Sequence, residues 1–546
     1  MTYFSLFFEA RGIQSYIFDS GKMKEMVGAS ELVKELCGSK LNTVISYLDL
    51  EEIKPESEAD AAKLLKMSAS QIFFSRRSGG VFTAIFADKS IRDRFLALWS
   101  IFITTLAPGL ETVHAVSESE NLQKLIKETY DNLGYNRNFP PPILPETTPM
   151  HVLAPRTGKP AVKNQVVAGG GKVWMDEASV KKAKVADDVS SNVLSDSFLS
   201  DSNQKNYSFP VNLEFDEEGN CEFPFKKDSR YLGLIHADGN GLGQTLIAIR
   251  ENFSDGAEYA VMLRLFSDKL EEATKEAAKI ATEKLIEKWG RESGKLPMRP
   301  LVLGGDDLTV LVRADYAMQF AEDYCKAFES ATEKHFEYLN KVSGGKIPAK
   351  LTACAGIAYI KNNQPFIDAF ELAESLCSAS KKISKDVREK EGRDFIPATV
   401  ASQVVTNSFI ESYEDYKKKE LTIKKDGKEF VATLGAYAID ENEKSIPTLS
   451  ALRKLCDELS KDGVTASSIR QYATMIFGDE NVSRERWRRW IEILGKKKDK
   501  LEALASCMKY FGVEDIKDSP WTKDNKTPIF DALQLMGVEE KEKKNA

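Results

Sequence analysis

Two Gly-Gly turns, each set between β-rich runs, constrain this chain more than any other feature. The first lies in Gln71 to Asp88, QIFFSRRSGGVFTAIFAD, and the second in Pro300 to Val312, PLVLGGDDLTVLV. Glycine supplies the backbone freedom that a tight reversal needs, so each stretch predicts a β-hairpin. The surroundings repeat as well. Ahead of the first turn come a strand-like run, Tyr3 to Phe8, and helical stretches near Ala29 to Leu36 and Leu48 to Met67. A helix from about Ile91 to Leu106 follows it. Around the second turn come a strand from Tyr231, an amphipathic helix from about Ala257 to Trp289, and then helix Tyr316 to Leu339, strand Leu351 to Ile360 and helix Pro365 to Ser384.

Strand, helix, hairpin, helix, occurring twice, is the ferredoxin-like pattern that polymerase palms also use, which predicts an α+β chain with two such domains. The copies differ at the turn, where Ser78-Gly79-Gly80-Val81-Phe82 stands in the place of Leu303-Gly304-Gly305-Asp306-Asp307. Only the second copy is equipped for metal chemistry. At 546 residues the chain has room for three or four domains of ~150 residues. We divide it into a non-catalytic first palm, 1–135; a linker or insert, 136–230; the GGDD palm, 231–445, closed by a hairpin about Asp426-Gly427; and a helical domain, 446–546. The insert is proline-dense at NFPPPILPETTP and glycine-rich at 168 to 172. It offers two strands, Asn212 to Phe215 and Cys221 to Phe225, around Glu218-Gly219.

Two-metal nucleotidyl transfer needs carboxylates on adjacent strand ends, holding cations ~3.5–4 Å apart. Asp306 and Asp307 sit at a hairpin tip, where neighbouring carboxylates are best tolerated when a cation offsets their repulsion. Asp238 ends the first strand of the same copy, and that strand lies beside the hairpin in a ferredoxin-like sheet. Gly304 and Gly305 let backbone approach a phosphate or base. Gly239-Asn240-Gly241-Leu242-Gly243 is similar to a phosphate-cradling turn into a helix N-terminus, although a plain tight turn would read the same. Lys381 or Lys382 could reach a triphosphate, or simply belong to a solvated basic face.

Lys+Arg number 76 against 83 Asp+Glu, a net charge of -7, which excludes coating nucleic acid by bulk charge. Seven scattered cysteines with no C-x-x-C pair, and four histidines, argue for free thiols in a reducing cytoplasm and against a Cys- or His-built metal centre. The most apolar stretch, Phe95 to Leu106, is short of the ~20 residues that cross a bilayer and is expected to be a buried helix, so no membrane partner is expected. The strongest basic cluster, Ser483 to Trp490 with Arg484 and Arg488, has Trp487, Trp490, Ile491 and Leu494 at helical spacing. It fits an amphipathic helix, or a surface whose arginines meet RNA phosphates or a partner subunit.

Asp238, the GGDD turn and A-G-I-A at 355 to 358 resemble the catalytic palm of the large polymerase/cyclase subunit of type III CRISPR effector complexes, a palm related to the GGDEF diguanylate cyclases. Gly12 to Phe18 with Ser20, Lys22 and Gly28-Ala29-Ser30 resembles the opening of that family's first palm, and Arg156 to Ala161 the segment beside its zinc element. The resemblance covers roughly residues 1 to 440. It implies magnesium or manganese held by Asp238, Asp306, Asp307 and the Gly239 backbone. Gly304, Gly305 and the Gly239 to Gly243 turn would border the nucleotide. It also implies ATP as substrate, cyclic oligoadenylate as product, guide and target RNA and other effector subunits as partners, and a cytoplasmic role in antiviral defence. Some relatives instead adenylylate S-adenosylmethionine. The sequence departs from the family in lacking the His-Asp pair of its nuclease domain and the cysteines of its zinc element, so neither DNase activity nor a structural zinc is expected. A catalytically silent scaffold remains an alternative, as does a guanylate-using cyclase, although Leu308 follows Asp307 where the GGDEF motif has Glu-Phe.

Overall fold

The computed structural model describes all residues except 140–149, 167–171, 189–191, 214, 217, 227–228, 254, 406–411, 426, 461–479, 496–497 and 540–546. It is an α+β structure. The N-terminal sheet has five strands, β1 (Tyr3–Arg11), β2 (Glu51–Ile53), β3 (Gln71–Ser78), β4 (Val81–Phe86) and β5 (Glu111–Ser119), in the order β2-β3-β4-β1-β5. The Gly79-Gly80 turn joins β3 to β4, and both glycines take positive φ. Helices α1 (Met23–Glu35), α2 (Lys89–Leu106) and α3 (Leu122–Arg137) accompany this sheet.

Helix α2 begins where the Asp88 carboxylate accepts from the Ile91 N–H at 2.9 Å, capping a donor the helix cannot satisfy itself. It buries Arg92, Phe95, Trp99 and Ile103, one helical stripe, while Ile101 on the far side is exposed. The expectation of a buried helix therefore holds for one face only. Trp99 meets Phe8 and Phe82 edge-on at 5.3 and 5.5 Å, and each such buried ring contributes about 2–3 kcal/mol.

The helical stretch expected over Leu48 to Met67 is broken. The helix preceding it ends at Tyr47, Asp49 takes a positive φ, and Glu51–Ile53 pairs in parallel with β3. Pro55 then bars helix from re-forming at once. The break places Glu52 between two guanidiniums, Arg77 at 2.6 Å and Arg264 at 3.1 Å, all of them nearly buried.

In the insert, β6 (Ala161–Val166) and β7 (Lys172–Asp176) form an antiparallel pair ahead of α4 (Glu177–Asp188). Among the described residues, the strands expected at Asn212 to Phe215 and Cys221 to Phe225 reduce to one bridge, Phe215 to Cys221. The Glu222 carboxylate takes the Val211 and Asn212 N–H groups, each at 2.8 Å, and Pro224 has none to give, so a ladder lacks its donors.

The second sheet has six strands, β8 (Tyr231–Gly239), β9 (Met298–Gly304), β10 (Asp307–Arg313), β11 (Ala353–Lys361), β12 (Thr399–Val404) and β13 (Tyr437–Ala438), in the order β9-β10-β8-β11-β12-β13. Both sheets carry the same central order, with the hairpin beside the first strand and the next strand on its other side. The repeat read from sequence is therefore a repeat of topology. Helices α5 (Leu242–Asn252), α6 (Gly256–Trp289), α7 (Ala314–Val342) and α8 (Phe366–Glu391) connect the strands. The hairpin expected about Asp426-Gly427 forms from Thr422–Lys425 and Lys428–Val431. Beyond β13, the C-terminal stretch contains α9 (Leu449–Ser460), α10 (Glu480–Gly495), α11 (Lys498–Tyr510) and α12 (Ile529–Val538). Among the described residues no helix is long and apolar enough to cross a membrane.

On α12, the Asp531 carboxylate accepts from the Leu434 N–H at 2.9 Å and the Tyr437 hydroxyl at 2.6 Å. Burial nevertheless pushes its pKa up to about 6. A carboxyl raised in the folded state contributes stability that is full below its ordinary pKa and is lost as pH rises through about 6. Asp531→Asn is therefore expected to gain on the wild type between about pH 4.5 and about pH 7, by on the order of 1–2 kcal/mol. Thermal unfolding of both proteins at the two pH values checks this. A Tm difference that does not change with pH would contradict it.

Candidate nucleotide and metal site

Strand β9 ends at Gly304 and β10 starts at Asp307, so Gly305 and Asp306 form the turn, with Gly305 at φ +62°. Helix α6 anchors this tip, because the Thr274 hydroxyl is 2.6 Å from the Gly305 carbonyl and donates to it. Gly304 is closely packed. A Cβ there would lie 3.1 Å from the Cα of Gly79, so the two Gly-Gly turns touch. A cavity of about 530 Å³ opens beside them, lined by Lys34, Arg77, Gly79, Lys275, Gly304 and Asp307 among others. Burial pushes the Lys34 pKa down to about 8, with Glu31 acting in the opposite direction.

Asp238 lies at the end of β8, in register with Cys354 on β11. The next turn is fixed by Asn240, whose N–H donates to the Thr352 carbonyl at 2.7 Å. Its buried amide nitrogen donates to the Thr352 hydroxyl at 2.9 Å and to Cys354 Sγ at 3.2 Å. Gly241 then takes φ +82°, which only glycine adopts readily, and α5 starts at Leu242. From α8, the Lys381 ammonium pairs with Asp238 Oδ2 and donates to the Gly239 carbonyl at 2.8 Å. His236, two residues before Asp238, is buried edge-on against Phe370 at 5.4 Å. Desolvation pulls its pKa down to about 4, which keeps the ring neutral.

Asp238, Asp306 and Asp307, all partly exposed, each offer a carboxylate oxygen within 4.8 Å of the others. Three hard oxygen donors without sulfur or imidazole suit magnesium or manganese and do not suit zinc. Residues 231–391 match the family model of the second palm domain of Cas10/Cmr2. This segment is similar to the second palm of Cas10/Cmr2.

No curated protein matches the chain. Solved structures resemble it at low identity. A Csm1–Csm4 cassette in complex with cA4 is 12% identical, with 99% of this chain and 70% of that one covered and a TM-score of 0.46. The cassette in complex with one ATP is 13% identical, with 98% and 69% covered and a TM-score of 0.46. Csm1 of T. onnurineus is 12% identical, with 98% and 69% covered and a TM-score of 0.43.

The residues singled out in the sequence fall into distinct places. Asn240, expected to border a nucleotide, has its side chain turned inward as a clamp between β8 and β11. Gly243 lies in the first turn of α5 with no atom within 4 Å of where a Cβ would be. Lys381 reaches Asp238, whereas Lys382 is exposed. Arg488 is exposed on α10, and the side chain of Arg484 lies outside the described residues. Trp487 is core, its indole N–H donating to the Ile516 carbonyl at 2.7 Å. Thr274, Thr352 and Cys354 had no signal in the sequence, since each acts through a partner remote along the chain.

Proposed function

We propose that the chain is a metal-dependent nucleotidyltransferase that builds an adenylate second messenger, cyclic oligoadenylate or a related product, from ATP in type III CRISPR defence. The observation that carries this reading is the three-carboxylate group in a segment similar to the second palm of Cas10/Cmr2. Asp238, Asp306 and Asp307 would hold magnesium or manganese, which when bound offsets charge on the attacking and leaving oxygens. The palm's own residues orient the reaction. Gly305, with no atom within 4 Å of where a Cβ would be, leaves room for a nucleotide to lie close, and Thr274 tethers the hairpin tip. A ribose hydroxyl of one nucleotide attacks the α-phosphate of another, forming the new P–O bond as the bond to pyrophosphate breaks. The hydroxyl proton leaves to water or to substrate phosphate.

Mass spectrometry of products formed from each NTP, and from ATP with S-adenosylmethionine, tests the reading. It should be run with the chain alone and with RNA-bearing effector subunits. A product linked through an adenylate phosphate is expected. No product under any of these conditions would leave a scaffold. The exposed Arg486, Arg488 and Arg489 of α10 would contact RNA phosphates. Arg486→Glu/Arg488→Glu should then lower the slope of log affinity against log salt for single-stranded RNA by about 1–2. An unchanged slope would place the arginines outside the interface.

A further inference from the structure

We propose that Lys381 is a resident counter-cation of Asp238, which a divalent cation must displace to occupy the palm. The inference rests on Asp238 being a metal ligand. The Lys381 ammonium occupies Oδ2 of that carboxylate and is also bound to the Gly239 carbonyl at 2.8 Å, so both the charge and a lone pair that a metal would use are already engaged.

The lysine is held there by its helix. One turn before it, the Cys377 thiol donates to the Cys354 carbonyl at 3.2 Å. Next to it, Ser380 is 2.6 Å from the Thr399 hydroxyl, and Ser384 lies 2.8 Å from the same group. All three are buried, which fixes α8 on the sheet and leaves the ammonium at the end of a tethered stem. The Lys381 side chain is 16% exposed and that of Asp238 31%, so solvent screens the pair only in part.

Two cations cannot share one carboxylate oxygen at contact distance without mutual repulsion. A cation that takes Oδ2 must therefore draw Lys381 off Asp238, and an anion placed nearby lowers the cost of that move by taking up the ammonium. By linkage, a nucleotide and the metal then strengthen each other's binding, although each is weak alone. Asp238 is thus kept paired until substrate arrives.

The test is Mn²⁺ affinity measured by electron paramagnetic resonance in the absence of nucleotide, on the full chain. Lys381→Met is expected to bind Mn²⁺ about tenfold more tightly than wild type, within the usual range of site-to-site coupling. A non-hydrolysable ATP analogue should then raise its Mn²⁺ affinity less than it raises that of the wild type. Lys381→Arg, which keeps the charge, should remain near wild type, as should Lys385→Met on the exposed side of α8. Unchanged or weaker binding in Lys381→Met overturns the inference, and so does an equal gain in Lys381→Arg, which would mark a packing effect. Asp306→Asn/Asp307→Asn separates the two levels. Loss of Mn²⁺ in that variant together with no change in Lys381→Met sinks the counter-cation alone. No Mn²⁺ on any protein, Lys381→Met included, sinks both readings.

Discussion

Replacing Asp306 and Asp307 together by asparagine is expected to lower the rate of nucleotidyl transfer by about a thousandfold or more, with the fold intact. Asparagine keeps the shape of the hairpin tip but removes two of the three negative charges that would hold cations against the reacting phosphate, and electrostatic stabilisation of this kind is usually the largest single contribution to rate. Stability should hardly move, because both side chains are partly exposed and their mutual repulsion is relieved. Initial rates and thermal unfolding, measured on the same preparation, separate the two effects. A variant that keeps more than about a tenth of the rate would show that these carboxylates are not the centre of the chemistry.

Gly356→Ala is expected to destabilise the fold strongly. On β11, a Cβ at this position would lie 2.0 Å from the Ala373 carbonyl oxygen, 2.5 Å from the Cys377 nitrogen and 2.8 Å from the Leu376 Cβ. Two of these are backbone atoms of α8, which no rotamer change can move aside. The helix must lift from the sheet, and lifting it strains the contacts of Cys377, Ser380 and Ser384 described above. Overpacking of this kind costs about 3 kcal/mol. For the unfolding step of this palm that corresponds to a Tm lowered by about 6–12 °C. Lys381 rides on the same helix, so the Asp238 pair should loosen as well. A Tm within about 2 °C of wild type would mean that α8 does not pack as closely as described.

The two Gly-Gly turns, the long helices around them and the α+β pattern were legible because each rests on short-range chemistry: glycine at a reversal, or apolar spacing along one helix. The three aspartates were legible for a related reason, since strand ends and hairpin tips can be placed from local pattern once the repeat is seen. What the sequence did not reveal depends on remote partners. The break after Tyr47 is explained by β2 finding β3, and helical periodicity over Leu48 to Met67 concealed Asp49 and Pro55. The strands expected near Glu218 failed because the Glu222 side chain took the amides first. Asn240 looked like a phosphate-cradling residue until Thr352 and Cys354, more than a hundred residues away, took up its side-chain amide. The contact of Gly79 with Gly304 likewise has no counterpart in local pattern.

The ratio of pyrophosphate released to ATP consumed, followed with magnesium or manganese present, tests the central claim most directly. Measured on the chain alone and with added RNA-bearing effector subunits, it is predicted to be about one for a cyclic product, one pyrophosphate leaving with each phosphodiester formed, with none released by Asp306→Asn/Asp307→Asn. Orthophosphate in place of pyrophosphate, or no release under either condition, would contradict nucleotidyl transfer by this palm.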